Sequence, residues 1–198
     1  MAPALLGAYL AADSEQGRVV LRLTEVEAYA GADDPGSHAF RGRTPRTTVM
    51  FGPPAHLYVY FTYGMHWCAN VICESDGAPA AVLFRAGEVV EGAALAFSRR
   101  SAARQPRDLA RGPARLAQAL GITGDDNGTD LSRPGSRITL IPPETPAAKV
   151  LGGPRVGVAG AGAARPWRFW LPGEPSVSVY RPAIPRRRAG ALSGRLSP

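Results

Sequence analysis

The chain has 198 residues, 45% of them hydrophobic and 20% charged, which points to one compact domain with a sizeable core and excludes disorder along its whole length. Lys and Arg number 23 against 16 Asp and Glu, a net charge of +7, and such an excess suits either a polyanionic partner such as nucleic acid or a basic surface with no partner. No run approaches the roughly 18 apolar residues of a membrane span; Cys68 and Cys73 match neither a zinc spacing nor a disulfide framework, so an intracellular, reducing compartment and no metal or cofactor are expected.

Pro3 to Leu10 has the make-up of a short helix. Arg18 to Tyr29 (RVVLRLTEVEAY) is rich in β-branched residues and alternates, which predicts a strand with Val19, Leu21, Leu23, Glu25, Glu27 and Tyr29 on one side. The following GADDPGSHAFRGRTPR gathers turn formers and charge and reads as a long loop, a kind of segment that is often functional. His56 to Thr62 and His66 to Cys73 predict two strands joined through Tyr63-Gly64-Met65 as an antiparallel hairpin. Pro79 to Arg85 predicts a fourth strand, with Leu83 and Arg85 on one face. Glu88 to Arg104 and Pro113 to Leu120 predict helices, the second with proline at its first position. After the DDNGTD turn, four short strands are expected at Arg137 to Ile141, Arg155 to Val158, Trp167 to Leu171 and Val177 to Tyr180. From Arg181 on nothing is periodic, so residues 181–198 are expected as a disordered basic tail behind a domain of residues 1–180. The fold class is α+β: a single compact domain with a mostly antiparallel curved sheet, a protruding β-hairpin and flanking helices.

Four features stand out chemically. Glu27, on a strand face otherwise made of Val and Leu, carries a desolvation penalty unless it is paired or used, or unless the strand end already meets water. Tyr63, beside glycine at a hairpin tip, is poorly placed to join the core and either binds something or folds back over the hairpin. Tyr58 and Tyr60 share one strand face, which could stack a base or simply pack. Arg99, Arg100, Arg104, Arg107, Arg111 and Arg115 form an arginine series opposed only by Asp108; it is either a solvated face or, where Gly112 and Pro113 open a helix, a phosphate site. Phosphate-loop and dinucleotide fingerprints are absent.

Taken in order, these blocks carry a resemblance. EAY with a histidine nine residues on, then GRTPR, MF, LYVYFTYGM, CAN, VLFRAGEVVEG, GPARLAQALGI, RVGV and PWRFWLPGEPSVSV run from about residue 5 to residue 180. They resemble the alkyladenine (3-methyladenine) DNA glycosylase family of monofunctional base-excision enzymes. The resemblance implies a partner, double-stranded DNA with damaged purines, and a monomer that needs no cofactor. Glu27 would be the general base, with Arg85 and the Val156 carbonyl helping to hold the attacking water. Tyr29 and His38 would stack on one side of the extruded base and Tyr60 on the other. Asn70 would crowd the amino group of normal guanine, and Leu83 would line the pocket. Tyr63 would wedge into the gap left by the flipped nucleotide, Met50 and Met65 would touch the opposite strand, and Arg43, Arg46 and Arg115 would meet phosphates. His56, His66 and Trp67 depart from the family's pattern, and the GRTPR loop is one residue shorter.

The residue types suit that chemistry. Extruding a base costs roughly a few kcal/mol, and an aromatic wedge restores the lost stacking. A cationic alkylated purine between π-faces gains about 0.5 to 2 kcal/mol that a normal base lacks. The single lysine, Lys149, is not near this face, which argues against Schiff-base lyase chemistry. The rival readings are a non-catalytic nucleic-acid-binding or damage-recognition module, which gives Glu27 no purpose, and a helix-hairpin-helix glycosylase, whose first glycines are missing. Five of the seven net positive charges fall in residues 181–198, which leaves the motif-bearing body at only +2.

Overall fold

The computed structural model describes residues 1–183; the expected tail lies outside the described residues from 184 onward. The spine is a strand of 13 residues, β2 (Gly17–Tyr29), preceded by β1 (Tyr9–Ser14) and followed by β3 (Leu57–Thr62), β4 (His66–Ile72) and β5 (Ala81–Glu91). Three short strands complete the sheet: β6 (Ile138–Ile141), β7 (Leu151–Gly153) and β8 (Arg168–Trp170). The order is β3-β4-β5-β2-β1-β6, all antiparallel, with β8 pairing to the end of β2 and β7 to β8. Two α-helices, α1 (Ala93–Arg99) and α2 (Pro113–Leu120), lie against it, and Leu116, Ala117, Ala119 and Leu120 of α2 join Leu21, Leu23, Val26 and Phe84 in the main core. The architecture is α+β.

β2 does not alternate to its end. Its pairing with β5 shifts register between Leu23 and Glu25 and again between Glu25 and Val26. Such bulges bend a strand and re-aim its side chains. The apolar series Leu21, Leu23 is therefore continued in the core by Val26, and Glu25 and Glu27 are delivered to a second, polar interior. The expected single face from Val19 to Tyr29 is corrected on this point.

Other expectations also change. Pro3 to Leu10 yields only one 3-10 turn, Ala2–Leu5; Tyr9 onward is β1, because Leu10 and Ala12 are buried between β2 and β6 and that packing overrides local propensity. The helix expected from Glu88 begins at Ala93 after β5 has run on to Glu91. The switch falls on Gly92, at φ 74°, where a Cβ would stand 2.1 Å from the Arg18 carbonyl oxygen; only glycine lets strand become helix there. α2 matches its expected bounds, with Pro113 in its first turn and Gly121 at φ 66° closing it onto the Ala117 and Gln118 carbonyls.

Two of the four late strands, β6 and β8, are present. Arg155 to Val158 is a turn and Val177 to Tyr180 has no ladder, since side chains take the backbone groups a ladder would use: Val156 N–H and Ser178 N–H both donate to carboxylates of β2, and the Val177 carbonyl accepts from Arg111 Nε. The loop after β2 is shaped by three 3-10 segments, Gly31–Asp33, His38–Arg41 and Pro45–Phe51. Among the described residues, no helix is long and apolar enough to cross a membrane.

Candidate active site

Glu27 is 0% exposed. Its Oε1 accepts from Val156 N–H at 2.8 Å, its Oε2 accepts from the Tyr29 hydroxyl at 2.9 Å, and Arg85 Nε lies 3.4 Å from Oε1. Burial pushes the carboxyl above its ordinary range; Arg85, the Val156 amide and the Tyr29 hydroxyl pull the other way, and Glu25 adds to the rise. The Glu27 carboxylate thus meets both conditions for a general base, a raised proton affinity and fixed orientation. The Val156 amide N–H thus binds Glu27 itself.

Tyr29 also lines an aromatic cavity of about 70 Å³, together with His38, Met50, Tyr58, Tyr60 and Asn70. The His38 and Tyr60 rings meet edge to face with centroids 4.5 Å apart, and His38 Nδ1 is hydrogen-bonded to the Tyr58 hydroxyl at 3.0 Å. Burial first, and Arg46 second, lower the pKa of His38, which keeps the imidazole neutral at neutral pH. The Tyr29 hydroxyl is pushed well above its ordinary value, by burial and then by Glu27, and so stays a donor. Asn70 is buried and donates to the Tyr58 carbonyl at 3.1 Å. Leu83 is buried opposite both Glu27 and Asn70 in the sheet, yet it does not line this cavity. Met50, expected against the opposite DNA strand, is 2% exposed, packs with Ala39, Tyr58, Ile72 and Ala81, and lines the cavity.

Arg85 and Val156 line a separate cleft of about 390 Å³, with Arg111, Arg115, Ser178 and Arg181 and with Gly112 and Pro113 at the start of α2. Glu27 touches a lining residue of each space, Tyr29 of the cavity and Arg85 and Val156 of the cleft. The arginine series divides here. Arg99 and Arg100 are structural, held by the Ala119 and Leu109 carbonyls among other groups, whereas Arg111 and Arg115 front the cleft. Arg43 and Arg46 are exposed beyond His38, and the Arg46 guanidinium lies 5.5 Å from the Tyr60 ring centroid.

The β3–β4 hairpin projects its tip. Tyr63 is 87% exposed and Met65 67%. Met65 N–H donates to the Thr62 carbonyl and closes a turn in which Tyr63 (φ 52°) and Gly64 (φ 66°) are both left-handed. A tyrosine in that region costs about 1 to 2 kcal/mol, a strain with no burial to offset it. Among the described residues, no group of three His, Cys, Asp or Glu side chains is placed to hold a metal.

A methylpurine-DNA glycosylase family model matches residues 1–175. The chain belongs to that family. It is 54% identical over 190 residues to a protein of Streptomyces avermitilis named "Putative 3-methyladenine DNA glycosylase", covering 95% of this chain and 89% of that one. Proteins of the same name from Leifsonia xyli and Nocardia farcinica are 57% and 53% identical, covering 91% and 89% of this chain and 87% and 84% of their own lengths. The reaction class of the methylpurine-DNA glycosylase family is hydrolysis of an N-glycosidic bond in DNA, a base-excision repair activity.

Several supporting residues of this glycosylase had no signal in local sequence. Glu25 is buried and accepts from Arg85 Nε, Arg168 Nε, Ser178 N–H and the Ser178 hydroxyl. Asp34 and Arg155 form a fully buried bidentate pair at 2.5 and 2.7 Å, and the Arg155 guanidinium lies 4.5 Å from the centroid of the Tyr29 ring. The pair ties the loop after β2 to the turn that presents Val156. These partners lie 60 to 153 residues apart, beyond the reach of any local pattern.

Proposed function

We propose that the protein extrudes alkylated purines, with deaminated and etheno purines as further substrates, from duplex DNA and hydrolyses their N-glycosidic bond with a water activated by Glu27, leaving an abasic site. The observation that supports this reading is that buried Glu27 bonds Tyr29 of the aromatic cavity and meets Arg85 and Val156 of the arginine cleft: with a base among Tyr29, His38 and Tyr60, a phosphate at Arg111 and Arg115, and Arg85 and the Val156 carbonyl helping to hold the water, the sugar–base bond would lie beside its carboxylate. As the C1′–N bond breaks, its electron pair leaves with the base and the sugar gains oxocarbenium character. The Glu27 carboxylate stabilises that charge and takes a proton from the water, whose oxygen bonds to C1′. Asn70, a buried amide at the cavity wall, discriminates by crowding the amino group of normal guanine.

Tyr63 is the wedge, with Met65 beside it toward the opposite strand and Arg43 and Arg46 on phosphates. Residues 1–180 form the catalytic body, which acts as a monomer, and residues 181–198 add salt-sensitive, non-specific affinity for DNA. The test is incubation of the purified protein with duplexes carrying one hypoxanthine or one 3-methyladenine, reading alkali-labile abasic sites. The parent is expected to release the base, and Glu27→Gln to lose release while still binding a duplex with an abasic-site analogue. Normal turnover by Glu27→Gln overturns the assignment.

A further inference from the structure

β2 carries two fully buried carboxylates, Glu25 and Glu27, and both approach one nitrogen of Arg85. Arg85 Nε is 2.9 Å from Glu25 Oε1 and 3.4 Å from Glu27 Oε1, and only the shorter contact is a hydrogen bond. Glu25 is otherwise saturated: Arg168 Nε reaches the same Oε1 at 2.5 Å, the Ser178 hydroxyl reaches it at 2.9 Å, and Ser178 N–H holds Oε2 at 2.6 Å. Glu27, in contrast, takes its two hydrogen bonds from neutral donors, Val156 N–H and the Tyr29 hydroxyl. Arg85 and Arg168 therefore both lean on Glu25, and Glu27 is left only partly compensated.

We propose that Glu25 is a positioning residue for the reaction: by holding Arg85 Nε to itself it keeps Glu27 out of a full ion pair, and Arg168, which competes for the same oxygen of Glu25, sets how firmly Arg85 is held. The inference rests on the reading of Glu27 as the base. A carboxylate locked to a guanidinium is a weak proton acceptor, and a base works best when its proton affinity is matched to the working pH. The groups that face Glu27 are Arg85 from β5, Glu25 and Tyr29 from β2, Tyr60 from β3, Cys68 from β4, and Arg155 with the Val156 amide from the turn before β8. The rise in the Glu27 carboxyl, to which Glu25 contributes, agrees with this arrangement.

The experiment is the pH dependence of single-turnover hypoxanthine release from duplex DNA, with the intact chain. Glu25→Gln removes a negative neighbour and frees Arg85 for Glu27, so Glu27 ionises more easily and the acid limb moves to lower pH, by about one pH unit. Arg168→Gln leaves Glu25 to Arg85 and removes a positive charge, so the limb moves to higher pH. A purely structural defect lowers the rate at every pH without moving the limb. Glu25→Asp keeps the buried charge, withdraws the carboxylate from Arg85 and is expected to move the limb to lower pH as well; it carries the test if Glu25→Gln does not fold. Limbs that stay with the parent's, or that move the same way for the Glu25 and Arg168 variants, overturn the proposal. Turnover by Glu27→Gln instead strikes the reading of Glu27, so the two failures are distinct.

Discussion

Val156 N–H donates a 2.8 Å hydrogen bond to the carboxylate of Glu27 across 129 residues of sequence. A backbone amide that would otherwise serve a sheet ladder is thereby committed to a buried acid, and the turn at Arg155 to Val158 owes its position to that acid. The same bond fixes the face of Glu27 that remains for chemistry, since its other oxygen is held by Tyr29.

Glu27 should cost stability at neutral pH. Its folded-state pKa is raised, chiefly by burial, so its contribution is fully present below the unfolded-state value and is lost as pH rises through the folded-state value. In Glu27→Gln, the amide oxygen accepts from Val156 N–H and the amide nitrogen donates to the Tyr29 hydroxyl. Thermal unfolding is expected to show a higher Tm for this variant at neutral pH, a change of about 2 to 4 °C for each kcal/mol recovered, and no advantage at acid pH. A lower Tm at neutral pH would contradict the argument.

The proposed wedge makes a separable prediction for Tyr63. It is strained and exposed, so Tyr63→Ser leaves thermal stability unchanged or slightly higher. Loss of one aromatic stacking partner, worth about 1 to 3 kcal/mol, lowers affinity for a lesion-bearing duplex by about ten-fold or more, as read by fluorescence anisotropy. Parent-like binding and excision would remove Tyr63 from the role.

Asp34 and Arg155 test the scaffold. Breaking a buried ion pair by removing one partner costs about 3 to 5 kcal/mol, so Asp34→Asn should unfold at markedly lower urea concentration. Burial alone pushes the Asp34 carboxyl up, but the Arg155 guanidinium with the Gly36 and Ala30 amides outweighs it and holds the carboxyl below its ordinary value. The sign follows: this stability is present above the unfolded-state pKa and disappears as pH falls through the folded-state pKa. Because Arg155 backs the ring of Tyr29, excision is expected to fall as well.

A basic tail that binds DNA should set part of its salt dependence. Removing residues 184–198 takes away four arginines and leaves Arg181, whose carbonyl accepts from Gly157 N–H. Binding to undamaged duplex should weaken and lose part of its dependence on salt, since each phosphate contact contributes about 0.9 to the slope of log affinity against log salt. Single-turnover excision at saturating protein should be unaffected. An unchanged slope would count against any role for the tail in binding.

Local sequence accounts for the central strand, the hairpin with its exposed tyrosine and the second helix. Each rests on a short-range cause: alternation from Val19 to Leu23, the Tyr63-Gly64 turn, and Pro113 and Gly121 at the two ends of one helix. The family motifs likewise point to Glu27, Tyr29, His38, Tyr60 and Asn70; the structure gathers the last four around one cavity, with Glu27 hydrogen-bonded to Tyr29. Local sequence did not disclose the bulges that turn Glu25 and Glu27 away from the main core, the strand at Tyr9, the burial of Met50 or the carboxylates that replace ladder partners for Val156 and Ser178. Those depend on contacts between residues brought together from separate elements, up to 153 positions apart for Glu25 and Ser178. A strand's alternation is a property of a few neighbouring residues, whereas the proton affinity of Glu27 is set by which distant groups are brought into the same dry interior.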